Sequence, residues 1–478
     1  MADDPADPAD PAVPAVGPVT DRLRRGWRPQ TMAEALDFLH TDLFQAPAGL
    51  FRDGDGLARS AALLAALGDP QDRIPVVHVA GTAGKGTVAS GLAAVATDEG
   101  LSVGLHVSPH VYDLRERFAV DGRWSSPDEV VDLLGEVLPA AADLAATDHG
   151  PPTFFEVTLA MALLHFVRQG CDLVVLETGL GGRYDSTNTV TRPDKLAVIT
   201  RISFDHEAVL GSTLEAIAAQ KAGILPLGGE AVVLHHGVAA VDDTLAEEAR
   251  RRRCRLHPVT APRPGPRQVA HVVEDAALVS AATALLDVRR GRRPDPDRVE
   301  AVLAGLALPG RFERVRTPSG AEVVLDGAHN PVKLAALIDR LSVSAGGEAG
   351  HRWRWVFGCR RDKKASEMLA QLAAVAAPGR SIALVQFPIT AGDVPADVST
   401  TTAELAAGAR ARGIAGAFEA TLAEAADFAA GEGPDPVVVA GSFHLLAALR
   451  PLLGVAPWSP PPARGVAGVS EAGPSPDA

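Results

Sequence analysis

The residues best suited to chemistry stand where an apolar run ends in a glycine-rich turn. Ile74–Ala80 reads as a buried strand, Gly81-Thr-Ala-Gly-Lys-Gly-Thr87 follows it directly, and Val88–Gly100 continues in a helical pattern. Glycines 81, 84 and 86 let backbone N–H groups close on phosphate oxygens, Lys85 adds a positive charge, and Thr82 and Thr87 add hydroxyls, which is the setting of a phosphate site at a helix N-terminus. The spacing departs from G-x-x-x-x-G-K-[ST], because the first glycine is only three residues before Gly84 and Gly86 separates Lys85 from Thr87. A plain strand-to-helix glycine turn is the alternative.

Other strand ends carry further polar groups. Leu173-Val-Val-Leu-Glu-Thr-Gly-Leu-Gly-Gly-Arg-Tyr-Asp-Ser-Thr-Asn188 closes an apolar run with Glu177, Arg183, Asp185 and Asn188 in a flexible loop. Ligands of open α/β sheets sit outside the carboxyl ends of strands, so this placement favours a site over a solvated loop. A third run ends at Asp205-His206, and Lys221 lies near the end of the next helix, where a cation would also simply suit the helix dipole. Thr153-Phe-Phe-Glu156 opens an apolar helix, where the carboxylate would complement the dipole or bind a cation.

The elements that must position these groups alternate. Strand-like Ile74–Ala80, Asp172–Glu177, Lys195–Thr200 and Ala231–His235 are separated by helical stretches such as Val88–Gly100 and Thr153–Gln169, the pattern of a doubly wound α/β sheet. A second, shorter series follows Leu308-Pro-Gly310: strand Glu322–Leu325, helix Pro331–Leu341, strand Arg354–Phe357, helix Lys364–Ala376, and strands near Ser381–Val385 and Pro436–Ala440. We expect an acidic, proline-rich tail over 1–30, a nucleotide-binding domain over 31–308, a smaller α/β domain over 309–455 and a disordered tail over 456–478. The basic stretch Arg250–Arg267 reads as an irregular surface excursion.

Composition narrows the class. The 45 basic and 59 acidic residues give a formal charge of −14, which repels nucleic acid and anionic membrane, so an anionic ligand must be held locally. Three widely spaced cysteines form neither a disulfide framework nor a metal motif and suit a reducing cytoplasm. The N-terminus lacks the basic and apolar regions of a secretory signal, and no apolar run suggests a membrane span, so a soluble protein is expected.

Taken in order, Gly81–Thr87, Ser108-Pro-His110, Phe155-Glu156, Gly179–Asn188, Asp205-His206 and Lys221-Ala-Gly-Ile224 resemble motifs of the folylpolyglutamate synthase/dihydrofolate synthase family, the folate-adding branch of the Mur ligases. Pro309-Gly-Arg311, Asp326-Gly-Ala-His-Asn-Pro331 and Gly441-Ser-Phe-His444 extend the resemblance through the second domain, so that it spans roughly residues 31–452. It implies a P-loop ligase domain followed by a Rossmann-like domain, and an ATP-dependent amide ligase that activates a carboxylate as an acyl phosphate.

By that resemblance Lys85 and Thr87 meet the nucleotide phosphates. Thr87, Ser108, Glu156 and His206 help hold two magnesium ions, and Lys221 matches a lysine carried as a carbamate. Arg311, Asp326 and His329 close on ATP, Ser442 and His444 lie near the incoming L-glutamate, and Thr153, Phe154 and Asp185 contribute to the acceptor site, where Phe154 offers an apolar face to a flat ring. A monomer acting on pteroate or folate and glutamate is implied. Ala83 stands in place of a loop asparagine, Asp275 where an asparagine associated with adenine recognition is expected, and Val385–Asp393 lacks a P-R-A string. A ligase for a non-folate acid or amine, and a non-catalytic nucleotide switch, are the alternatives.

Overall fold

The computed structural model describes residues 19–43, 54–265, 267–344, 353–361, 363–376, 381–389, 399–431 and 436–460. Two mixed α/β units lie in succession. The first is built on strands β1 (Val76–Ala80), β2 (Val103–His106), β3 (Ala119–Val120), β4 (Leu173–Glu177), β5 (Leu196–Ile199), β6 (Glu230–Leu234) and β7 (Arg255–Val259), in spatial order β3-β2-β4-β1-β5-β6-β7. Only the β2/β3 pair is antiparallel.

β1 and β4 are buried along their whole length, as strands with helices on both faces must be. The helix Lys85–Asp98 packs on β1, β2 and β4 on one face of this sheet, and the helix Phe154–Arg168 packs on β2 and the 3₁₀ turn Ser186–Thr189. From β1 the chain runs outward to β2, returns through β4 on one flank of β1, and crosses to β5 on the other. The loops after β1, β4 and β5 therefore diverge from one line of strand ends, the topological switch point at which such sheets open a crevice.

The second sheet has the order β12-β11-β10-β13-β9-β8, from β8 (Glu313–Arg316), β9 (Glu322–Asp326), β10 (Arg354–Phe357), β11 (Ile382–Val385), β12 (Ala417–Ala420) and β13 (Val437–Ala440). All neighbours are parallel except the β8/β9 hairpin. Trp355 and Phe357 on β10 and Leu384 on β11 anchor one layer of its core. No helix among the described residues is long and apolar enough to cross a membrane.

Three expectations change. Arg250–Arg267 is no simple excursion: Arg255–Val259 is the parallel edge strand β7, paired residue for residue with Glu230–Leu234. Its alternation of charged, proline and half-buried positions hid it, and that alternation is what an edge strand tolerates. Residues 19–30 are not all tail, since Val19–Arg24 is helical, Leu23 is buried, and Trp27 stacks on Phe38 at 5.2 Å. At the other end Trp458 stacks on Trp124 of the first unit at 5.2 Å, so 456–460 dock as well. The segments 1–18 and 461–478 of the expected tails lie outside the described residues, as does 390–393 of the Val385–Asp393 segment.

Candidate active site

The phosphate loop is fixed from beneath by β5. Thr82 N and Ala83 N donate to Arg201 O at 2.7 and 3.3 Å, and Thr200 Oγ1 donates to Ala83 O at 2.7 Å. Thr82 Oγ1 donates to Ser203 O at 3.0 Å. Gly84 adopts φ +85°, and a Cβ there would stand 2.3 Å from Asp275 Oδ1. Gly86 is needed for close approach, because its Cβ would fall 2.4 Å from a guanidinium nitrogen of Arg311 and 3.2 Å from Glu177 Oε2. No side chain caps the helix that begins at Lys85. Its first N–H groups and the positive end of its dipole are thus left to an anion.

The acid beside this loop is Glu177, which the register Val79↔Glu177 carries to the end of β1. Its Oε2 accepts from Ser108 N at 3.0 Å, so the Ser108 loop and the phosphate loop meet on one carboxylate. Glu156, expected to bind metal, is paired with a buried arginine in this structure. It accepts from Arg59 Nε at 2.8 Å and Nη2 at 2.7 Å, both side chains being buried, and from Thr153 N at 2.7 Å. Thr153 in turn caps the same helix by accepting from Glu156 N at 3.3 Å. Both residues are consumed in a capping box and a buried ion pair. Sequence reading missed Arg59 because its partner is 97 residues away.

Phe154 likewise offers no free ring face. It is 1% exposed, with the imidazole of His40 stacked at 5.8 Å and the Arg117 guanidinium 5.2 Å from its centroid. Arg117, also missed, is fully buried and donates from Nε to His110 Nδ1 at 3.0 Å. Asp185 serves the architecture of its loop, accepting from Leu180 N, Thr187 N and Thr187 Oγ1. His78 on β1 meets the same Thr187 hydroxyl at 2.7 Å.

Across the crevice, Lys221 is buried and donates from Nζ to Gly81 O at 2.8 Å. Burial, then the charge of Lys85, holds its amine well below the ordinary lysine range. His206 takes a left-handed conformation, φ +51°, before the short helix Glu207–Leu210. Desolvation by the surrounding protein lowers its imidazole to about 4; Asp205 opposes this, and Lys363, Lys333 and Lys85 reinforce it. Burial alone would raise the Asp205 carboxyl, but Lys333, His206 and Lys363 outweigh it and hold the group well below the usual carboxylate range.

The second domain supplies the opposite wall. Arg311 reaches Gly86 and lies 5.3 Å from the Phe443 ring centroid. Asp326 Oδ2 accepts from Phe312 N at 2.8 Å and Oδ1 from Ala328 N at 2.9 Å, so it ties the Arg311 turn to its own loop. His329 is held by Gly327 O at 2.8 Å and Lys333 Nζ at 3.0 Å. Ser442 caps the helix Phe443–Leu449 by accepting from His444 N, and His444 lies within electrostatic reach of His110. Asp275, buried against Gly84, is raised to about 7 by burial and by Glu274, although Arg201, Arg311 and Arg340 pull it down.

Lys85, Glu177, Ser108, His206, Lys221 and Arg311 are thus gathered near the phosphate loop, while Glu156, Thr153 and Asp326 are engaged in hydrogen bonds within the protein and Phe154 is buried. Among the described residues no group of three or more His, Cys, Asp or Glu is arranged to hold a metal ion. A single carboxylate beside a phosphate loop fits magnesium, which is commonly held by one or two carboxylates together with substrate phosphates and water.

Comparison with known proteins bears on the fold and the family. Residues 79–260 match the Mur ligase middle domain and 310–443 the Mur ligase glutamate ligase domain. A probable bifunctional folylpolyglutamate synthase/dihydropteroate synthase of Haloferax volcanii is 34% identical over 87% of this chain, of which it uses 50% of its own length. The chain therefore spans about half the length of that relative. The dihydrofolate synthase/folylpolyglutamate synthase of Bacillus subtilis is 32% identical over 67% of this chain and 79% of its own. A Mycobacterium tuberculosis folylpolyglutamate synthase complexed with ADP superposes with a TM-score of 0.74 at 28% identity, covering 89% of this chain and all of that one. Identity of this level across both Mur ligase domains, on a matching two-sheet fold, shows that the chain belongs to the folylpolyglutamate synthase/dihydrofolate synthase family of Mur ligases.

Proposed function

We propose that this chain is an ATP-dependent acid–amino acid ligase that adds L-glutamate to dihydropteroate, to a reduced folate, or to both. The observation that carries the reading is Gly86, a position with no room for a Cβ because Glu177 of the first domain and Arg311 of the second both press on it. ATP bound there would have its phosphates between the domains.

The acceptor carboxylate attacks the γ-phosphorus. An O–P bond forms, the bond to ADP breaks, and the resulting acyl phosphate is attacked by the glutamate amine, which expels phosphate and loses a proton. Lys85 and Arg311 neutralise the charge that gathers on the transferring phosphoryl group. Glu177, Ser108, Thr87 and His206 would hold magnesium, which when bound supplies charge neutralisation to the phosphates. Burial lowers the pKa of the Lys221 amine, a neutral amine there would add CO2 with loss of a proton, and the carbamate would place a carboxylate-like group beside Gly81. Docked domains exclude water that would hydrolyse the intermediate. We take the enzyme to act in the cytoplasm, as a monomer, on small molecules.

The test is ADP release by purified protein with ATP, magnesium and L-glutamate, with dihydropteroate, a reduced folate or no acceptor, and mass analysis of products. Acceptor-dependent ADP and a product one glutamyl unit heavier are expected. ADP release that needs neither acid nor amine would sink the reading and point to a nucleotide switch.

A further inference from the structure

Glu313, the first residue of β8, is grasped from both domains. Its Oε2 accepts from Tyr112 Oη at 2.7 Å and from Gly310 N at 2.9 Å, and its Oε1 is paired with Arg450. Side chains of Glu313 and Arg450 are about nine-tenths buried, and the Arg450 guanidinium stands 4.8 Å from the Tyr112 ring centroid. An acid buried to this degree is stable only if its oxygens are satisfied, so the four groups must be placed together or not at all.

Two arms leave this point and both end at the phosphate loop. Along one, Gly310 leads directly to Arg311, whose guanidinium lies against Gly86. Along the other, Tyr112 belongs to the loop of the first domain that starts at Ser108, and Ser108 N donates to Glu177. That loop is stiff: Glu116 accepts from the backbone N–H of Val111, Tyr112 and Asp113 at 2.9, 2.7 and 3.0 Å. It is also anchored outside its own domain, since Val111 is buried in the second domain's core with Val323, Leu325, Leu445 and Leu446. A shift of the second domain therefore moves Tyr112, and through the Glu116 clip it moves Ser108.

We propose that Tyr112, Glu313 and Arg450 form a positioning node that sets Arg311 and the Ser108–Glu177 contact on the phosphate loop together, so that the phosphoryl-transfer geometry is complete only when the two domains are docked. None of the three touches the loop itself, and their role is to align the groups that do. The proposal rests on the ligase reading for its kinetic readout but not for its structural one.

The experiment uses the full chain and Tyr112→Phe, which removes one hydroxyl and leaves the Glu313–Arg450 pair. The expected result is a kcat per folded molecule lowered about tenfold, KM for ATP and affinity for a non-hydrolysable ATP analogue within twofold of wild type, a melting temperature lowered by only a few degrees, and faster amide exchange across 108–117. Arg450→Lys keeps the charge but loses the planar fork over the ring, and is expected to move the same quantities in the same direction. Wild-type kcat and exchange in both variants would overturn the proposal. So would a loss of rate matched by an equal loss of fold or of nucleotide affinity, or the failure of both variants to fold, since the node would then be structural. If wild-type protein releases no ADP with any acid, the ligase reading fails instead, and amide exchange across 108–117 in the variants still decides the node.

Discussion

Asp205 of the first domain accepts a hydrogen bond from Asn330 Nδ2 of the second at 3.1 Å, and the same carboxylate lies 3.7 and 3.5 Å from the ammonium groups of Lys333 and Lys363. One acid thus balances two lysines that the second domain brings to the crevice. Asp205→Asn keeps the shape and removes the charge. We expect it to lower kcat/KM for ATP by roughly one to two orders of magnitude, since losing one partner of a buried charge pair leaves the other uncompensated. Steady-state kinetics at several salt concentrations check this, with the defect growing as salt falls.

The two candidate acids separate cleanly. Glu156→Gln breaks a buried pair with Arg59 and should destabilise the protein by about 3–5 kcal/mol, with turnover per folded molecule preserved. Glu177→Gln should leave the melting temperature within a few degrees of wild type and raise the magnesium concentration needed for half-maximal rate. Denaturant melts and magnesium titrations of both variants check the assignment. A stable, fully active Glu177→Gln enzyme would refute it.

Lys221→Ala is expected to abolish glutamate ligation while nucleotide-analogue affinity changes little, because the lysine contacts the loop through Gly81 O alone among its described hydrogen bonds. Labelled bicarbonate should give the wild-type protein a carbamate carbon signal that the variant lacks.

Asp275 gives a pH signature. Its folded value, raised to about 7, exceeds the unfolded carboxyl near ~3.9, so the folded state holds the proton more tightly. The contribution to stability is complete below the unfolded value and is lost as pH rises through about 7. Asp275→Asn removes this term, so the variant should gain on the order of 1–3 kcal/mol over wild type at pH 8 and almost nothing at pH 4. Thermal melts across that range measure it. A parallel gain in nucleotide affinity at pH 8 is expected, since a negative charge no longer stands against Gly84 of the phosphate loop.

What the sequence by itself determined is local. Glycine spacing, an apolar run and a following helix pattern locate the phosphate loop, and the same logic finds β4, β5 and the chemistry of Lys85, His206 and Lys221, because turn and strand preferences act between neighbours in the chain. It also sufficed for the two-domain α/β class and the family. The tertiary structure decided which carboxylate stands beside the phosphate loop. Glu156 and Glu177 both stand beside recognisable signals, yet strand register brings Glu177 to the end of β1, while Glu156 meets Arg59 on a helix nearly a hundred residues earlier. Burial of Phe154 between His40 and Arg117, the edge strand at 255–259 and the Tyr112–Glu313–Arg450 contact were illegible for the same reason. A charged or aromatic side chain takes its role from whichever partner desolvates it, and that partner is chosen by packing between distant segments rather than by the residues beside it.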